Sequence, residues 1–287
     1  MRPNSLLAIA AATALWLGTT GASTANEGAR IAVLNWGLAQ TLLGLGIEPV
    51  AIANMPGYRK WVAHPPLPDG AVDIGRRIEP NMTVLAGAQP DLILTSNYYN
   101  RGLERLRGVA PTETLRIYQP DTRALDRAFV VADELASRLD RGDALAAMRA
   151  RLERAVAGLR ARTEPGETVY VVRFRDGGHI QVFGDGGLFD GVLERAGLAN
   201  AWQGASNYWG FAMVPIERLD ARADHLVVIE PVKRRAEQLM ADSPIWRALP
   251  AVRHGRVHRL EPIWSFGGVP AATRFAERLA EAIDDAR

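Results

Sequence analysis

Residues 143–162, "DALAAMRARLERAVAGLRAR", decide how this chain is organised. Leu145, Met148, Leu152, Val156 and Leu159 recur every three or four positions, the spacing that lines one face of an α-helix with apolar side chains. Asp143 is placed to cap that helix, and Gly142 separates it from an earlier helical pattern at Leu125, Phe129, Ala132, Leu135 and Leu139. Twenty helical residues reach about 30 Å. On both sides of this rod the pattern changes to short apolar runs alternating with helical stretches. Before it, "RIAVLN", "EPVAIAN", Leu92 to Thr95 and "LRIYQ" read as strands, with "WGLAQTLLGLG" a helix closed by Gly46 and "LERLRGVAP" another helix. After it, "TVYVVRF", "HIQVFG", "HLVVIEP" and "RVHRLEP" read as strands and "GLFDGVLERAGL" as a helix. Strands alternating with helices imply largely parallel sheets covered on both faces. The expected architecture is therefore two α/β lobes joined by one long helix: an N-terminal lobe over 26–141, the connecting helix over 142–163 and a C-terminal lobe over 164–287. The final "AATRFAERLAEAIDDAR" is amphipathic and is expected to pack on the second lobe.

The first residues stand outside that pattern. One arginine, an apolar run from Leu6 to Leu17, and small residues ending in Ser23 and Ala25 read as a signal peptide cut after Ala25. About 12 apolar residues are too few to span a bilayer, which argues against a membrane anchor. The chain has no cysteine, so neither disulfides nor a lipidated N-terminal cysteine is available. An exported binder with no anchor stays near its cell only behind a second membrane, so the periplasm is the expected compartment. A formal net charge of +2 and scattered arginines give no basic patch, and nucleic acid is not an expected partner.

Catalytic signatures are missing from the sequence. It has no G-x-S-x-G elbow, no Walker loop and no G-x-G-x-x-G after a strand, so no catalytic residue and no cofactor is assigned. "GDGG" (Gly184 to Gly187) could cradle an anion at a helix N-terminus, but a plain strand-to-helix turn is the expected reading, because glycine satisfies the turn alone. Of the five histidines only His254 and His258 are neighbours, and a surface role is expected for them rather than a metal site.

Aromatic and amide side chains instead gather in loops. "NAWQGASNYWG" (Asn200 to Gly210) combines Trp202, Tyr208 and Trp209 with two asparagines, in no helical or strand period. "GYRKWVAHPPLPDGAVDIGRRIEPN" carries Tyr58, Trp61 and an arginine pair; "TSNYYNRG" follows a strand; "EPIWSFGG" adds Trp264 and Phe266. Such loops at strand ends of both lobes suggest one cleft between them.

These segments resemble the periplasmic ferric-hydroxamate siderophore binding proteins, the ferrichrome receptors of ATP-driven iron uptake. The likeness runs through nearly the whole mature chain and is carried by "YRKWV…PPLPD", "DIGRRIEPN", "VFGDGGLFDGVLERAGLANAWQGASNYWG" and "SPIWRALPAVRHGRV". The resemblance implies a helix-braced, two-lobed binding protein and no enzyme. It implies a monomer that delivers its Fe(III) chelate to an ABC transporter permease, with iron held by the siderophore and not by the protein. It places hydroxamate contacts on Arg77 and Tyr99, cleft aromatics on Trp61, Trp209 and Trp264, and a polar ligand contact on Asn207. Phe266 stands where the family has a tyrosine, so a hydroxyl donor is lost there. Permease docking falls on Glu104 and Glu217. Another iron chelate or cofactor (a catecholate siderophore, haem or cobalamin) is the alternative cargo. Arg77 alone does not make the basic cluster that a catecholate would favour.

Overall fold

The computed structural model describes residues 28–97, 102–175, 179–219 and 223–285. The predicted signal peptide and Tyr99 lie outside the described residues.

In chain order the first half runs β1 (Ile31–Val33), α1 (Trp36–Gly44), β2 (Ala51–Ile52), α2 (Met55–Trp61), β3 (Val72–Asp73), a hairpin of β4 (Gly75–Arg76) and β5 (Glu79–Pro80), α3 (Met82–Gly87), β6 (Leu92–Thr95), α4 (Leu103–Arg107) and β7 (Thr112–Thr114). Its sheet has the order β3-β2-β1-β6-β7 with every pair parallel. A single device recurs at the start of its helices. Asn35, Asn54 and Asn81 each accept backbone N–H bonds from the first turn of α1, α2 and α3. Asn35 and Asn54 follow β1 and β2, so both turn the chain into a helix at the same end of the sheet, while Asn81 does so after the β4-β5 hairpin. One expected strand is displaced: pairing with β6 uses Thr112–Thr114, and "LRIYQ" runs on as an irregular segment. Its side chains Leu115, Ile117 and Tyr118 are buried, which is why it reads as a strand.

Two helices then cross between the halves: α5 (Ala124–Arg138) and α6 (Gly142–Arg160). The expected stripe on α6 is buried at Met148, Leu152, Val156 and Leu159, joined by Ala155. Asp143 is not its cap. The helix begins one residue earlier, so Asp143 sits in the first turn, where a carboxylate still complements the helix dipole. Leu152→Ala there would cost about 2–5 kcal/mol through lost contact and the cavity left behind.

The second half contains β8 (Thr168–Phe174), β9 (His179–Phe183), α7 (Leu188–Ala196), β10 (Ala199–Asn200), β11 (Phe211–Pro215), a 3-10 turn at Ile216–Arg218, β12 (His225–Ile229), α8 (Arg234–Asp242), α9 (Pro244–Ala248), α10 (Pro250–Arg253), β13 (Val257–Leu260) and α11 (Val269–Asp284). The sheet order is β11-β9-β8-β12-β13, with β10 also pairing β8. It is parallel across β8, β12 and β13, but β9 is antiparallel to both β8 and β11.

The last helix packs on the second lobe as expected, and reaches beyond it. α11 packs on α6, α7 and β13, and also on α1 and α5, so it braces both lobes and not only the second. One hydrophobic core accordingly runs from Ile31 and Val33 of the first sheet, through these helices, to Val169 and Val171 of the second. Smaller cores cover the outer faces of the two sheets.

Candidate functional site

A cavity of about 440 Å³ opens where the two lobes meet, within the range that holds a drug-sized ligand. Its walls come from the C-terminal ends of parallel strands: Asn35 and Trp36 after β1, Asn54 after β2, Ser96 and Asn97 after β6, Leu115 after β7, and Trp264 and Phe266 after β13. Parallel strands end at one edge of a sheet, so facing lobes bring their loops to a common crevice.

The first-lobe wall is built on Trp36. Its indole is buried because it opens α1, and its Nε1 donates to Ala53 O at 2.8 Å, which fixes the ring plane. Arg77 reaches it from the turn between β4 and β5, with Cζ 3.9 Å from the Trp36 ring and 5.4 Å from that of Trp264. Trp61, the last residue of α2, lines the same wall.

The opposite wall is aromatic. Tyr118 stacks on Trp209 at 5.5 Å, and Phe266 meets Tyr118, Trp209 and Trp264 edge-on at 5.9, 5.5 and 5.3 Å. The Tyr118 hydroxyl lies 3.1 and 3.2 Å from the carbonyls of Ser265 and Gly267, sharing one proton between two acceptors. Burial pushes its pKa far up, so it stays a donor. Tyr118 therefore pins the loop that carries Trp264 and Phe266.

The stretch Asn200 to Gly210 divides into a structural half and a cleft half. Trp202 is buried in the outer core of the second lobe, beside Gly184 and Gly204, and does not face the cleft. Trp209 does line it, and the exposed Tyr208 packs against Trp209 at 4.9 Å. Asn207 is not in the lining. Its Oδ1 accepts from the backbone N–H groups of Trp209 and Phe211 at 3.0 and 3.4 Å, which shapes the turn presenting Trp209. Gly210, at φ +76°, passes so close to Gly187 that a Cβ would lie 2.2 Å from its Cα. "GDGG" is a turn packed under this loop: the Asp190 carboxylate accepts from Gly186 N at 3.2 Å and from Asn200 Nδ2 at 3.0 Å. Burial raises the Asp190 pKa, opposed by those donors.

Several cleft residues escape the sequence reading: Trp36, Tyr118, Arg173, Arg175 and Gln181. The cleft is thus more basic than Arg77 alone implied. Arg173 had a legible signal, being a charge inside the apolar run "TVYVVRF". Trp36 and Tyr118 look like core residues and are recognised only from where they pack.

Outside the cleft, His258 corrects an expectation. It is buried, with Nδ1 donating to Ala282 O at 3.0 Å and Nε2 2.9 Å from Nδ1 of the buried His225, while His254 is exposed. No group of three metal-ligating side chains occurs among the described residues. Glu104 on α4 is exposed and pairs with Arg107; Glu217 is exposed on the 3-10 turn.

Comparison with known proteins agrees with this architecture. Residues 31–263 match the family described as periplasmic binding protein. The iron(3+)-hydroxamate-binding protein FhuD of Escherichia coli (strain K12) is 33% identical over 286 residues, covering 98% of this chain and 96% of that protein. The structure of FhuD from Vibrio cholerae with bound Fe3+-Desferal superposes with a TM-score of 0.83 at 28% identity, covering 90% of this chain and 99% of that one. FhuD2 of Staphylococcus aureus with bound ferrioxamine B shares the fold, with a TM-score of 0.70 at 19% identity over 90% of this chain and 99% of that one. With two α/β lobes, a cleft between them and a family match across most of its length, this chain belongs to the periplasmic binding protein family and has the FhuD-type fold.

Proposed function

We propose that the protein captures a ferric hydroxamate siderophore in the cleft and delivers it to an ABC transporter permease. The observation that carries this reading is the Arg77 guanidinium stacked on Trp36 within an aromatic cavity shared by both lobes. A ferric tris-hydroxamate presents oxygens of partial negative charge that are already bound to iron. Guanidinium and phenol donors meet them through charge-assisted hydrogen bonds without displacing the metal. Tyr99 is the proposed phenol, Arg77 the guanidinium, and Trp61, Trp209 and Trp264 take the ligand's apolar linkers. The Escherichia coli relative is a hydroxamate-binding protein, which supports this chemistry. The iron is cargo, and the role is binding without catalysis. Export with cleavage after Ala25, a periplasmic location and permease docking through Glu104 and Glu217 belong to the same proposal. Titrating the purified protein with ferric and iron-free hydroxamates, followed by tryptophan fluorescence, tests it. Saturable quenching by the ferric form is expected, and its absence in a folded protein would remove the proposal.

A further inference from the structure

The charge of the cleft is one-sided. Its described lining holds Arg77, Arg173 and Arg175 and no aspartate or glutamate. Arg173 is the unusual member, because it lies within β8 at 2% exposure, where a guanidinium has lost most of its hydration. Nη2 donates to Ile263 O at 2.8 Å and Nη1 to Ser265 Oγ at 3.3 Å, both neutral acceptors. Its Nε has no hydrogen-bond partner among the described residues. The rings of Trp61 and Phe183 each lie 5.8 Å from its Cζ.

Arg175 follows two residues later, on the same side of the extended chain, and is exposed. Neither arginine forms an ion pair among the described residues. Burial, and then repulsion from Arg175, lower the Arg173 pKa to about 10, which still leaves it protonated at neutral pH. Two neighbouring cations with no carboxylate paired to them among the described residues, one of them buried, do not help the protein fold. A ligand that brings negative charge to them recovers part of that cost, and the low-dielectric wall strengthens the contact. Gln181, the cross-strand neighbour of Arg173, adds a neutral amide to this wall, and Phe266 offers no donor.

We infer that the cleft selects ferric hydroxamate chelates of net negative charge, with Arg173 and Arg175 receiving a ligand carboxylate while Arg77 meets the hydroxamate oxygens. This rests on the hydroxamate reading and narrows it to a chelate class. A carboxylate matches the planar fork of a guanidinium and can be held by two parallel hydrogen bonds.

The test keeps the iron core constant and changes only the charge. Ferric desferrioxamine B carries a pendant ammonium, its N-acetyl derivative is neutral and its N-succinyl derivative ends in a carboxylate. The three are titrated against the full mature protein by tryptophan fluorescence, at low and high sodium chloride. Affinity is expected to rise from cation to neutral to anion, with roughly a tenfold or greater gap between the extremes at low salt. High salt narrows that gap. Arg175→Gln, at an exposed position where folding is not at stake, brings the extremes to within about threefold, because one of two cations is gone. Arg173→Gln narrows the gap as well; an equal loss for all three chelates would instead make Arg173 a structural residue and overturn its part. Equal affinities, or a preference for the cation, in the wild type would overturn charge selection while leaving hydroxamate capture intact. Failure of all three chelates to bind a folded protein would remove the hydroxamate reading itself, and binding of a ferric tris-catecholate in that case would identify the replacement.

Discussion

The Arg77 guanidinium lies 3.9 Å from the ring of Trp36, and that same ring meets Trp264 edge-on at 4.9 Å. A turn of the first lobe and a loop of the second are thus referenced to one indole, which is itself fixed by its bond to Ala53 O. Pre-positioning the cation in this way lowers the ordering cost of binding.

Arg77→Ala should weaken ferric hydroxamate binding by about 1.5–3 kcal/mol, the range for a hydrogen bond involving a charged group. Arg77 is only half-buried, so urea unfolding should move little. Titration and denaturation on one preparation check both, and an unchanged dissociation constant would remove Arg77 from the binding wall.

Ferric ligand should quench tryptophan emission unevenly. Trp61, Trp209 and Trp264 line the cleft, whereas Trp202 and Trp246 lie in the outer core of the second lobe. Trp209→Phe should reduce the quenched fraction clearly, and Trp246→Phe should leave the absolute quench nearly intact.

Tyr118→Phe removes one hydroxyl from two buried carbonyls and should cost about 1–3 kcal/mol of folding stability. Since that loop carries Trp264 and Phe266, ligand affinity should fall as well. Urea denaturation and titration measure the two effects; a variant with wild-type stability would show that water replaces the hydroxyl.

Acid should destabilise the fold through its buried imidazole. Burial, and then His225, hold the His258 pKa below its ordinary value of 6.5, so the folded protein keeps it neutral where the unfolded chain takes up a proton. The unfolded state then binds more protons below that value. Stability is complete above pH 6.5 and declines as pH falls through the folded pKa. His64, lowered by burial and by Arg274, adds the same sign. His258→Gln should show a smaller loss between pH 7 and 5 in urea melts, and an identical pH profile would contradict this account.

Glu104→Ala combined with Glu217→Ala should leave chelate affinity within about twofold, because neither acid lines the cleft. Uptake, or stimulation of the transporter ATPase, should fall sharply if these exposed acids orient the complex on a permease. Normal transport by the double variant would make them ordinary surface residues.

What the sequence determined by itself was the frame. Helical and strand periods are local properties of the chain, so the stripe on α6 and the alternation of strands and helices could be read from neighbours a few positions apart. The same local reading located the aromatic loops that supply Trp61, Trp209, Trp264 and Phe266. Only tertiary structure decided which tryptophans face the cleft, since Trp202 and Trp209 share one loop and differ in what packs against them. It also decided that α11 braces both lobes, that His258 pairs with His225, and that Arg173 and Arg175 stand in the cleft with Arg77. Those outcomes depend on contacts between residues far apart in sequence, where burial and partner are set by the meeting of two lobes and leave no period in the chain.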